Sequence, residues 1–337
     1  MKRILYLITA LLISSIGYSQ TASEYYNKGI EQDDLQDYKG AIDFYTKAIE
    51  LDSKYAKAYI NRGVAKVNLQ DYKGAILDYT KGIEFNPNNA KAYINRAIAK
   101  VNLQDYRGAI LDYTKAIEND SKNVDYYYDR GVIKWDLQDY RGAIEDYSKA
   151  IELDPKYMKA YYNRGIAKGN LQDYRGEIDD YTKAIELDSR YTKAYINRGA
   201  AKVKIQDYKG AITDYNKGIE LDSNDPDTFF NRGIAKEDLQ DYNGAIVDYN
   251  KAIELDPKEY TTYFNRGLVK CKLQDYRGAI ADFTRSIEFN PGYAWTFYNR
   301  GLAKIKIGQK DSGCLDLRKA GELGLPNASE SIRKYCQ

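Results

Sequence analysis

The chain has 337 residues, of which 43% are hydrophobic and 30% charged, the balance of an ordinary globular protein. It carries 51 Lys and Arg against 49 Asp and Glu and contains no histidine. That near-neutral balance excludes a global electrostatic footprint for nucleic acid, and the missing histidine removes the commonest general base and metal ligand.

The first element in chain order has the pattern of a secretory signal. Lys2 and Arg3 precede an apolar run from Ile4 to Ile16, and Gly17-Tyr18-Ser19 places small residues before a cut. A signal peptide over residues 1–19 is therefore expected, with cleavage after Ser19. An N-terminal membrane helix is the alternative, but the run falls short of the roughly 20 residues that span a bilayer. Losing Lys2 and Arg3 leaves 49 residues of each sign, so the mature chain is neutral. The expectation is an exported protein, periplasmic or secreted, with no membrane span after cleavage.

From there the chain repeats. Gln-Asp-Tyr recurs at Gln36, Gln70, Gln104, Gln138, Gln172, Gln206, Gln240 and Gln274, always 34 residues apart. Fixed self-similarity of this length marks stacked units, each too small to bury its own apolar face. Nine units begin at residues 22, 56, 90, 124, 158, 192, 226, 260 and 294 and fill 22–327; a capping helix over 328–337 follows. In the second unit Tyr59, Ile60, Gly63, Val64 and Val67 form one helical stripe. Leu69-Gln70-Asp71 makes the turn, Ala75, Ile76, Tyr79 and Ile83 form a second stripe, and Pro87 ends it. Gly63 and Ala75 are the small residues that let the paired helices approach. No alternation of period two occurs, so strands are not expected.

On Tyr59, Gly63, Tyr72, Ala75, Tyr79, Gly82 and Pro87 the chain resembles the tetratricopeptide repeat family, over about nine-tenths of its length. The resemblance implies an all-α, right-handed solenoid of nine helix-turn-helix repeats whose first helices line a groove that grips a peptide or partner protein. The chain departs from the family's pattern at Arg62 and Lys66, where apolar residues are common. Eight units carry that Arg, and the same eight carry Asp sixteen residues later, from Arg62 with Asp78 to Arg300 with Asp316. A repeated bridge between paired helices is the simple expectation. The first unit has Lys28 and Phe44 and lacks both.

Chemistry finds little foothold. Without histidine, Ser-His and Cys-His nucleophiles are impossible within the chain. Cys271, Cys314 and Cys336 lack the spacing of a zinc site, and the glycines recur singly rather than in a phosphate loop. No catalytic residue, cofactor or metal is expected. The reading is a non-enzymatic scaffold for a protein or peptide partner; a carbohydrate or cell-wall binder using the 35 tyrosines is the alternative. Neither the partner's identity nor the oligomeric state is encoded in any motif.

The resemblance turns the fifth, sixth, ninth, twelfth and thirteenth positions of each first helix toward the groove. The sixth is Asn in eight units, including Asn95, Asn163, Asn197 and Asn231, with Asp129 the exception. These amides suit an extended peptide backbone, or else bond to the neighbouring helix and set repeat geometry. The family's terminal-carboxylate clamp, Lys at the fifth position with Asn at the ninth, is absent. Tyr128, Asp129, Trp135 and Asp136 make the fourth unit distinctive, and Tyr162, Gly169 and Asn170 follow in the fifth. Trp135 beside Gly169, ringed by Asp125, Asp129 and Asp136, suggests a pocket for an aromatic anchor; otherwise Trp135 fills the volume that Gly169 leaves. A second acidic group, Asp227, Glu237 and Asp238, stands among lysines such as Lys57, Lys91, Lys159, Lys193 and Lys204.

Two local expectations remain. Cys314 takes a position filled elsewhere by Ile76 or Ile110, and Cys336 ends the helix that should cover it, so a disulfide is expected in an oxidising compartment, with Cys271 a packed free thiol. Glu177 stands where Ala41, Ala75 and Ala109 stand elsewhere. It should find a cation, Lys168 first and Lys202 second, or titrate high.

Overall fold

The computed structural model describes residues 20–336; the expected signal segment, 1–19, and Gln337 lie outside the described residues. Among the described residues there are 19 α-helices and no strand. They run α1 Ala22–Asp34, α2 Tyr38–Leu51, α3 Ala56–Asn68, α4 Tyr72–Phe85, α5 Ala90–Asn102, α6 Tyr106–Asn119, α7 Val124–Asp136, α8 Tyr140–Leu153, α9 Met158–Asn170 and α10 Tyr174–Leu187. They continue with α11 Thr192–Lys204, α12 Tyr208–Leu221, α13 Pro226–Asp238, α14 Tyr242–Leu255, α15 Tyr260–Lys272, α16 Tyr276–Phe289, α17 Ala294–Lys306, α18 Lys310–Glu322 and α19 Asn327–Tyr335. None is long and apolar enough to cross a membrane. The chain is an all-α repeat solenoid, in which odd-numbered helices from α1 to α17 open the repeats and even-numbered ones close them.

Two compact units divide at Ala160–Tyr161, inside α9. In the first, each helix packs against its successor from α1 to α8. In the second, the same succession runs from α10 to α19.

The Gln-Asp-Tyr motif has a local physical explanation. The eight repeated glutamines all have φ between 60° and 64°, the left-handed conformation that reverses the chain after each first helix. Gln70 N–H donates to the Val67 carbonyl and Asp71 N–H to that of Lys66, closing the helix end. The Asp71 carboxylate then caps α4 by accepting from the Gly74 amide. Gly74 is small because a Cβ there would collide with that carboxylate. In the ninth repeat Gly308 takes the left-handed position, with φ 82°.

Packing follows from size. A Cβ on Gly63 would come within 2.7 Å of the Tyr79 ring, so glycine on the first helix admits tyrosine from the second. The core does not stay within a repeat: Tyr79 and Ala75 of α4 share a cluster with Ala92 and Ala99 of α5. In the second unit Tyr215 packs with Ala235, and Tyr249 with Val269, in the same way.

The expected Arg–Asp bridge closes in all eight repeats that carry the pair. In the first unit Arg62–Asp78 is 2.6 Å and Arg96–Asp112 2.7 Å; in the second Arg198–Asp214 is 2.6 Å and Arg300–Asp316 2.8 Å. A lysine joins each aspartate on its other oxygen, as Lys66 does at 2.7 Å from Asp78. The arginine also reaches backwards: Arg62 donates to Thr46 Oγ1 at 3.0 Å and Arg266 to Asn250 Oδ1 at 2.6 Å. One guanidinium thereby ties three helices of two consecutive repeats.

Candidate functional site

The first-helix face is where the repeats stop being alike. The twelfth position reads Asp33, Val67, Val101, Trp135, Gly169, Val203, Glu237, Cys271 and Ile305, whereas the seventh is Arg in eight repeats. The second helices of the first seven repeats each bury a tyrosine, from Tyr45 to Tyr249, with Phe283 and Leu317 in the last two, and four of the tyrosine hydroxyls meet a carboxylate. Tyr45 donates to Asp33, Tyr113 to Asp129 at 3.4 Å, Tyr181 to Glu177 at 3.1 Å and Tyr249 to Glu237 at 3.0 Å. Burial pushes the phenols of Tyr45, Tyr113, Tyr181 and Tyr249 up, and the adjoining carboxylates push them further, so each stays a donor. Sequence reading missed this pairing because the carboxylates come from three different repeat positions.

In the first unit, Trp135 is 36% exposed and stands edge-on to Tyr140, with ring centroids 6.4 Å apart. Two of the three aspartates expected to ring it are engaged elsewhere. Asp125 accepts from the Tyr157 hydroxyl at 2.7 Å, and Asp129 faces Tyr113 in a cleft of about 220 Å³ shared with Ile98 and Val132. Burial raises the Asp129 carboxyl above the ordinary aspartate range, and Asp125 adds to the shift; Tyr113 and Lys159 oppose it. Asp136 is exposed. Tyr128 packs its ring between Tyr147 and Tyr157, at 5.8 and 5.3 Å, and is half-buried.

The amides are mostly committed. Asn61 donates to the Tyr26 hydroxyl at 3.1 Å and Asn197 to that of Tyr162 at 3.0 Å, each in the preceding repeat. Asn170 and Asn265 bond back to their own helices, through the Ile166 and Thr261 carbonyls. These bonds favour the geometric role over the peptide-gripping one. Asn95, Asn163 and Asn231 are half-buried on the equivalent face. Tyr162 is packed against Tyr181 and Tyr191.

One expectation needs correction in the second unit. The Glu177 carboxylate lies over the bare backbone of Gly169, where a Cβ would meet its Oε2 at 2.6 Å. It does not pair with Lys168 or Lys202. Those lysines go to the more deeply buried Asp180 and Asp214, each at 2.8 Å, leaving the Tyr181 hydroxyl as the partner of Glu177. The carboxyl does titrate high. Burial pushes it up, the Tyr181 hydrogen bond opposes this, and Asp173 reinforces it.

The acidic seventh repeat is also tied in. Glu237 accepts from Lys272 at 2.8 Å as well as from Tyr249, while Asp227 lines a separate cleft of about 260 Å³ with Phe230 and Glu259. Cys314 and Cys336 form a disulfide with Cα atoms 5.7 Å apart, linking α18 to the residue after α19. Cys271 is a half-buried free thiol, which burial pushes up to about 11. Tyr45, Tyr79, Tyr147, Tyr181, Tyr215 and Tyr249 are fully buried core, so these six offer no surface to a carbohydrate.

The helix pairs, the left-handed turn and the Gly–Tyr contact define a tetratricopeptide fold, and comparison with known proteins agrees. The description "Tetratricopeptide repeat" matches residues 22–55, 56–89, 90–123 and 159–191, and "TPR repeat" matches 135–172, 201–240 and 237–274. Together these matches span more than half of the chain, which belongs to the tetratricopeptide repeat family. Among solved structures, the C-terminal part of a TPR repeat-containing protein from Cytophaga hutchinsonii is similar, with TM-score 0.63 and 19% identity; the alignment covers 70% of this chain and 97% of that one. A tetratricopeptide repeat protein from Parabacteroides merdae aligns with TM-score 0.55 and 18% identity, over 74% of this chain and 99% of that one. The APC/C hetero-tetramer Cut9-Hcn1 aligns with TM-score 0.50 and 15% identity, over 97% and 80%. At these identities the likeness is one of fold. No curated protein sequence matches the chain.

Proposed function

We propose that this chain is a non-enzymatic scaffold that binds a peptide or partner protein along its first-helix faces. One observation carries the reading: the packing positions repeat almost without change, while the twelfth position holds seven residue types in nine repeats. Variation at a partly buried position of the first-helix face, beside packing positions that hardly change, is what a recognition surface needs. Trp135, large, aromatic and partly exposed, is the anchor candidate on that face. Trp135→Ala should weaken capture of a crosslinked partner by about 2 kcal/mol or more, the scale of hot-spot truncations, with the melting temperature nearly unchanged. A lower melting temperature with unaltered affinity would make Trp135 a packing residue instead.

The setting of this function is export, with residues 1–19 removed. The basic, apolar and small-residue succession supports it. Intact mass of exported protein should place the first residue at Gln20, and retention of the leading segment rejects cleavage.

A further inference from the structure

Three departures from the repeat converge on one place in the second unit. Gly169 stands where Val67, Val101 and Val203 stand in other repeats, and Glu177 stands where alanine is usual. Ala200 takes a position that is Ile30, Val64, Ile98, Val132, Ile166, Ile234, Leu268 or Leu302 in the other eight. Two of these changes remove side-chain volume and the third inserts a carboxylate. All three line a single cleft of about 410 Å³ between α9, α10 and α11, walled by Ile166, Tyr174 and Ala201.

The carboxylate is held ready for a cation. Glu177 lies flat over the bare backbone of Gly169, and Tyr181 fixes one of its oxygens at 3.1 Å. Among the described residues it makes no ion pair, and Lys168 and Lys202 go to Asp180 and Asp214. Asn197, whose amide is oriented by Tyr162, stands at the same cleft, as does the exposed Lys204. A half-buried carboxylate without an ion pair, in a cleft with an apolar wall, is complementary to a ligand that brings an aliphatic stem and a cationic head.

We propose that this cleft is a subsite for an arginine or lysine side chain of the bound partner, with Glu177 as its specificity-determining residue. The proposal rests on the partner-binding reading and deepens it. The ligand's methylenes would lie against Ile166, Ala200 and Ala201, and its head would meet the free oxygen of Glu177. Formation of that pair draws the carboxyl back toward ionisation, reversing the upward push of burial.

Methyl-resolved NMR on the full chain tests this with acetyl-arginine-amide as the probe and acetyl-citrulline-amide as its neutral isostere. Saturable shifts at the Ile166, Ala200 and Ala201 methyls with the arginine probe alone are expected. Glu177→Gln should weaken that binding by at least about tenfold, the scale of one charge-assisted hydrogen bond, and the melting temperature confirms that the variant is folded. Equal shifts with the citrulline probe, unchanged affinity in Glu177→Gln, or no shift at these methyls each overturn the subsite. The partner-binding reading fails separately, if crosslinking with the full chain captures no protein or peptide.

Discussion

Glu177 shows how a single residue sets stability against recognition. Its folded-state pKa is raised, chiefly by burial, so the ionised form is disfavoured in the native state. A raised carboxylate contributes stability that is complete below its unfolded pKa and is lost as pH climbs through the folded value. Wild type and Glu177→Gln should therefore melt at similar temperatures in acid, and the variant should become the more stable of the two towards neutrality. Thermal melts at a series of pH values check this, and a constant gap across the series contradicts it. The residue's oddity was visible from sequence, since it breaks a run of alanines. Its partner was not: spacing pointed to Lys168, but spacing cannot show that Asp180, also held by Arg164, competes for the same ammonium. The left-handed glutamines were equally hidden, because that conformation is advertised by glycine or asparagine and only Gly308 conforms.

At the scale of elements, the helices were readable because every cue agreed. Period, turn and cap all recur at the same offsets, so α3 and α4 follow from Tyr59 to Ile83 without ambiguity. What sequence could not supply was the contact between repeats, where Thr46 meets Arg62. The signal was present as a Thr, Ser or Asn sixteen residues before each of the eight arginines, but a hydroxyl or amide on a helix suggests solvent first. At the far end, α19 is held by Leu325 and Ala328 against Phe297, by a Tyr298–Ser331 hydrogen bond of 3.0 Å, and by the disulfide. Cys336→Ser removes a crosslink between residues 22 apart in sequence, worth up to about 3 kcal/mol by loop entropy. Amide exchange should then quicken in α19 while α17 keeps its protection. Unaltered protection throughout α19 would mean that packing alone secures it.

Across the whole molecule, stability is distributed as a chain of near-identical joints. Each joint buries an aspartate, 2% exposed at Asp112, under an arginine and a lysine. Removing the anion strands two cations in a poorly solvated place, so Asp112→Ala should cost about 3–5 kcal/mol. The surface pair Lys115–Glu118 provides the control: Lys115→Ala should leave the urea midpoint where it was. If both substitutions behave alike, the buried network is not what couples the repeats.

Uniform turns also bear on how such a chain changes over generations. The repeats share one length, eight of them share the glutamine reversal and eight carry the arginine that, as at Arg62 and Arg266, reaches the repeat before it. Recombination between equivalent codons would thus delete or duplicate a whole number of 34-residue blocks and keep the repeat register at the new junction. Array length can drift at little structural cost, while the variable face is reshuffled with it. The Glu177 cleft is an exception to this freedom, for its parts lie in two adjacent repeats. A crossover that exchanges the sequence between Glu177 and Ala200 for an equivalent stretch elsewhere would leave a sound fold and separate the carboxylate from the space beside it.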